Sequence, residues 1–167
     1  MTKKTVLLPA AIIVCGVLWA HPHFSKTVTA QLGDNELKLG FTTYPYNPEH
    51  LSEVVDGFIF HCGRATLDVK GNFTSGASQI STGSYLVRAR ARTVDDWTLF
   101  LIPSDTAGAG GSVDLSKGIE LETTTLTGLP TVHHLDLDLY SGHAETDGKM
   151  ILAVAFGERK LEGILAF

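Results

Sequence analysis

The chain has 167 residues, 44% of them hydrophobic and 19% charged, with a formal net charge of −5 at pH 7. That length suits one domain with a sizeable core, and an acidic chain without a Lys/Arg run excludes a nucleic-acid or anionic-membrane footprint. Its two cysteines, Cys15 and Cys62, are too few for a disulfide framework.

Lys3 and Lys4 form a short basic segment, and Val6 to Trp19 is an apolar run interrupted only by Pro9. Ala20 supplies the small residue that precedes a signal-peptidase cut. The run is shorter than the roughly 20 apolar residues of a spanning helix. The sequence therefore predicts a signal peptide over residues 1–20, one domain over residues 21–167 and a periplasmic or secreted location. No membrane span is expected after processing. Cleavage leaves 147 residues beginning at His21, moves the charge from −5 to −7 by removing Lys3 and Lys4, and leaves Cys62 as the only cysteine. That lone thiol is expected as a buried small hydrophobe.

The remainder reads as short strands. Thr27 to Leu32 and Leu37 to Thr43 flank Gly33-Asp34-Asn35, a hairpin signal. Asn47 can cap a short helix with Pro48 at its first position, and Leu51, Val54 and Val55 share one face before Asp56-Gly57 stops it. Phe58 to Cys62 and Thr66 to Val69 are separated by Gly63-Arg64. Tyr85 to Arg92 alternates, so Arg88, Arg90 and Arg92 are expected on a solvated strand face. After the turn at Thr93 to Asp96, the nearly continuous apolar run Trp97 to Pro103 reads as a strand buried on both faces.

Ser104 to Ser112 is Gly/Ala/Ser-rich and reads as a surface loop, and Ile119 to Thr125 as a strand. In His134 to Leu139, perfect period two puts the leucines inward and the aspartates outward, so His133 is expected either to point inward with Leu135 or to lie in the turn after Pro130. Met150 to Phe156 and Leu161 to Phe167 close the chain. The fold class predicted is all-β, an antiparallel β-sandwich of about eight or nine strands with one short helix.

Three segments carry a resemblance: Gly83-Ser84-Tyr85-Leu86-Val87, Asp96-Trp97-Thr98-Leu99-Phe100 and Val113-Asp114-Leu115-Ser116-Lys117. They resemble a bacterial family of exported domains of unknown function, with a Gly-x-Tyr … Asp/Glu-x-Trp-Thr hairpin and a later Asp-x-(Ser/Ala)-Lys loop. The opening His21-Pro22-His23-Phe24 and the closing hydrophobic strands are similar to a subgroup of it. The resemblance covers most of the mature chain and implies export and a β-sandwich, without implying an activity.

The functional expectation comes from the histidines. On a processed chain His21 offers its α-amine and its imidazole to one metal ion, half of a histidine brace that a second imidazole completes for Cu(II). Pro22 has no N–H and so excludes the ordinary amino-terminal copper motif with His23 in third place. In an extended segment His21 and His23 face the same side. His134 and His143, then His50, are the candidate distant ligands.

The sequence thus predicts an exported metal-binding or delivery protein with copper as its cofactor and an envelope protein as a candidate partner. An envelope interaction module without metal and a copper-dependent oxidative enzyme are the alternatives. No Gly-x-Ser-x-Gly elbow, phosphate loop or His-Glu-x-x-His occurs.

Overall fold

The computed structural model describes residues 23–108 and 113–167. The signal-peptide segment, His21, Pro22 and residues 109–112 lie outside the described residues. The fold is an all-β antiparallel sandwich, as the strand patterning predicts. In chain order the strands are β1 (Phe24–Leu32), β2 (Asn35–Thr43), β3 (Ile59–Phe60), β4 (Thr66–Lys70), β5 (Phe73–Ser75), β6 (Ser78–Ile80), β7 (Gly83–Thr93), β8 (Asp96–Pro103), β9 (Ile119–Glu120), β10 (Thr123–Leu126), β11 (Val132–Ser141), β12 (Met150–Gly157) and β13 (Arg159–Leu165). One sheet runs β1-β2-β4-β7-β8-β9, with β3 also on β7, the other runs β10-β13-β12-β11, and β5-β6 form a separate hairpin.

Leucines dominate the space between the sheets. Leu37, Leu39, Leu67, Leu99 and Leu101 of the larger sheet and Leu152, Leu161 and Leu165 of the smaller are each fully buried. In β11 Leu135, Leu137 and Leu139 are buried while His134 and Asp138 are exposed, the alternation that a half-buried strand dictates. Every residue from Trp97 to Ile102 is buried, so β8 is covered on both faces.

The short helix departs from expectation at its end. Asn47 caps a 3₁₀ helix at Pro48–Glu53, accepting from the Glu49 N–H at 3.0 Å, but Val54 is already extended and Val55 is 65% exposed. Adjacent β-branched valines lose side-chain freedom in a helix, which favours leaving it there. The strands on either side of Gly63-Arg64 do not pair with each other: β3 pairs with β7, while β4 lies between β2 and β7. Cys62, Gly63 and Arg64 all have positive φ, and a Cβ on Gly63 would stand 2.3 Å from the Thr42 carbonyl oxygen. Only glycine allows that approach. The run Ile119 to Thr125 divides into β9 and β10, which belong to different sheets, with the crossing at Leu121-Glu122.

Candidate functional site

β2 outruns its neighbour. Its pairing with β4 ends at Gly40↔Thr66, but the chain continues and reaches β11, where Leu135 N–H donates to Tyr44 O at 2.9 Å and Tyr46 N–H to His133 O at 2.9 Å. Pro45, which has no N–H to give, stands opposite His134 in an isolated bridge. This crossing holds one end of the sandwich open, and a cavity of about 380 Å³ fills the gap.

Six aromatic side chains line it: Tyr44, Tyr46, Phe58, Phe60, Trp97 and Phe156. Trp97 and Phe156 meet at 5.5 Å between centroids and 76°, Phe58 and Trp97 at 6.1 Å and 88°, and Tyr44 and Phe60 at 6.4 Å and 84°. These edge-to-face pairs suit the ring quadrupoles and make a rigid wall. Leu51 of the 3₁₀ segment and Val54 just after it roof the space, and His50 and Glu53 also line it.

The indole donor in the wall is already engaged. Trp97 Nε1 donates to Val94 O at 2.8 Å. Burial pushes the Tyr44 phenol up to about 12, with the Cys62 thiol adding to the rise and the Gly63 backbone opposing it. Cys62 itself is fully buried, as expected, and burial pushes its thiol to about 12 against the pull of Arg88. Neither group is an acid or a nucleophile near neutral pH. What the cavity offers is shape, ring surface and a polar rim.

The candidate metal ligands are dispersed. His21 lies outside the described residues. His23 is exposed just before β1, His50 is exposed on the roof, and His134 is exposed on the polar face of β11. His143 is exposed beyond the other end of β11, where it precedes a 3₁₀ turn at Ala144–Thr146. At about 3.3 Å per residue, the extended path from His134 to Ser141 is roughly 23 Å, so His134 and His143 do not meet. Among the described residues no three His, Cys, Asp or Glu side chains gather so as to hold a metal ion.

Two orientations differ from expectation. His133 is exposed, because the β11–β12 register shifts between Val132 and Asp136 and breaks the alternation there. Arg88 is buried and not solvated: it is 4% exposed, its Nη1 donates to Val87 O at 2.8 Å, and its buried Nε has no partner. It pairs across the sheet with Phe100 on the covered β8, whereas Arg90 stacks on the Phe100 ring at 5.5 Å and Arg92 is exposed.

Compared with known protein families, curated proteins and solved structures, the chain matches none. The aromatic residues of the cavity are absent from the sequence-based list of candidates. Their signal is the alternation of Phe58 with Phe60 and the Tyr44-Pro45-Tyr46 triplet, whose proline marks where pairing must change.

Proposed function

We propose that this chain is an exported binding module that takes up a small, largely apolar molecule at the open end of its sandwich. The observation that carries the reading is the cavity of about 380 Å³ lined by six aromatic side chains. Small-molecule sites are concave, mostly apolar and supplied with few polar groups, and this volume falls within their usual range of about 300–1,000 Å³. Trp97 lies in the wall and is the only tryptophan once residues 1–20 are removed, so it reports on its own site. Titration with the neutral dye N-phenyl-1-naphthylamine should give saturable energy transfer from Trp97, and Val54→Trp, which fills the space from the roof, should abolish uptake of the dye. Unsaturable transfer, or uptake indifferent to Val54→Trp, overturns the proposal.

A second reading keeps the metal. Copper, or a similar divalent ion, would be held by the α-amine and imidazole of His21 with His23 and one distant histidine, for binding or delivery. In its favour, Phe24 pairs with Thr43 and His134 with Pro45, so His23 and His134 approach the same short stretch at the end of β2. Calorimetry with Cu(II) on protein beginning at His21 should show tight one-to-one binding that one added N-terminal residue destroys. Absent binding, or binding unchanged by the extra residue, removes this reading.

A further inference from the structure

We propose that the ligand of the aromatic cavity carries a cationic ammonium group; the inference rests on the cavity being a small-molecule site and names the chemical class it selects. Three observations converge. The wall is built of six aromatic rings, and the negative faces of such rings attract a cation, most of all where water is excluded. Among the described lining residues there is no Lys or Arg, and Glu53 is the one carboxylate, set at the mouth. Glu53 is itself exposed, which holds its charge at the solvent side of the site.

The same features work against other ligands. An anion would have to leave water for a site whose deep donor, Trp97 Nε1, is already bonded to Val94 O, and would pass Glu53 on entry. Asn47 Nδ2 is turned to Glu49 Oε2 at 3.5 Å and Asn47 Oδ1 accepts the Glu49 N–H, so the Asn47 amide is already engaged within the roof. A neutral apolar molecule would fit the walls and gain nothing from the exposed Glu53. An ammonium whose substituents are alkyl groups satisfies both: its apolar shell packs on the rings and its charge is balanced by the rim carboxylate. The net negative charge, −5 for the whole chain and −7 once Lys3 and Lys4 are removed with residues 1–20, draws such a cation toward the protein from a distance.

The test compares choline with its carbon isostere 3,3-dimethylbutan-1-ol, in which a quaternary carbon replaces the nitrogen. Both are titrated by calorimetry and Trp97 fluorescence into the purified protein, its Glu53→Gln variant and its Phe58→Leu variant. Choline should bind about tenfold or more tightly than the alcohol. Glu53→Gln should weaken choline and leave the alcohol unchanged, and Phe58→Leu, at a half-buried ring on the cavity wall, should weaken choline without unfolding the sheet. Equal affinity for the two probes overturns the ammonium proposal while leaving an apolar site in place. Choline affinity unmoved by both variants places binding elsewhere and overturns it as well. If neither probe nor N-phenyl-1-naphthylamine binds, the cavity is no small-molecule site and both readings fall together.

Discussion

The Tyr46 ring lies directly over Gly157: a Cβ built on that glycine would stand 2.5 Å from Tyr46 Cζ. Gly157 also has φ +56°, the left-handed region that side chains rarely adopt. The β12–β13 turn therefore sets the position of one wall of the cavity. Gly157→Ala should destabilise the fold by about 2–3 kcal/mol, combining backbone strain with displacement of the ring. In a Tyr46→Leu background the same substitution should cost less, because only the strain remains. Urea unfolding of the four proteins checks this, and strictly additive costs would show that the two residues are not coupled.

The roof depends on a smaller interaction. Asn47 Oδ1 accepts the Glu49 N–H, and Ser52 Oγ donates to Glu49 O at 2.6 Å. Removing a cap of this kind typically costs about 1 kcal/mol. The 3₁₀ segment buries none of its residues, so that loss should stay local. Asn47→Ala is expected to leave the thermal midpoint nearly unchanged while speeding amide exchange from Glu49 to Val54 and weakening dye uptake. Unaltered exchange in this segment would mean that packing of Leu51 and Val54 alone holds the roof.

What the sequence discloses about this architecture follows a physical divide. Residue order along a strand is local, and so the alternation of His134 to Leu139, the hairpin around Gly33-Asp34 and the continuous apolar run of the doubly buried Trp97 to Ile102 are all legible from the sequence. The cavity is not local. Tyr44, Phe60, Trp97 and Phe156 are spread over more than a hundred positions and meet only because β2 leaves β4 and bonds to β11. Glycine is visible at Gly63 and Gly157, but whether it serves a turn or a close approach depends on Thr42 and Tyr46, which are remote in sequence. The histidines illustrate the converse. Their chemistry is visible at once, while the length of β11 between His134 and His143 decides which of them can share an ion.

Stability at acid pH should be governed in part by Glu162. Its carboxylate receives the Tyr140 hydroxyl and pairs with Lys160 Nζ at 2.8 Å. Burial pushes Glu162 upward, but the hydrogen bonds from Lys160 and Tyr140 outweigh it and hold the carboxyl below its usual range. A carboxylate whose folded pKa is depressed contributes stability above its unfolded value of about 4.3, and loses it as pH falls through the folded pKa. Thermal midpoints measured from pH 6 down to pH 2 should therefore drop less steeply for Glu162→Gln than for the parent. Parallel curves would remove Glu162 from the acid response.

Arg88 supplies a prediction of the opposite sign. The residue is 4% exposed, and its guanidinium makes one hydrogen bond to the neighbouring Val87 carbonyl and has no salt-bridge partner among the described residues. Burial lowers its pKa against the opposing pull of Cys62. Taking a charge out of water without a counter-charge is costly, and apolar replacements of buried ionic groups are often neutral or stabilising. Arg88→Met keeps most of the stem that packs beside Phe100 and removes the unpartnered Nε. Stability should hold or rise, by up to about 2 kcal/mol. A loss of more than about 1 kcal/mol would instead mean that the guanidinium has a compensating partner in solution. An anion is the chemistry to look for in that case, and added phosphate should then raise the thermal midpoint of the parent while leaving Arg88→Met unmoved.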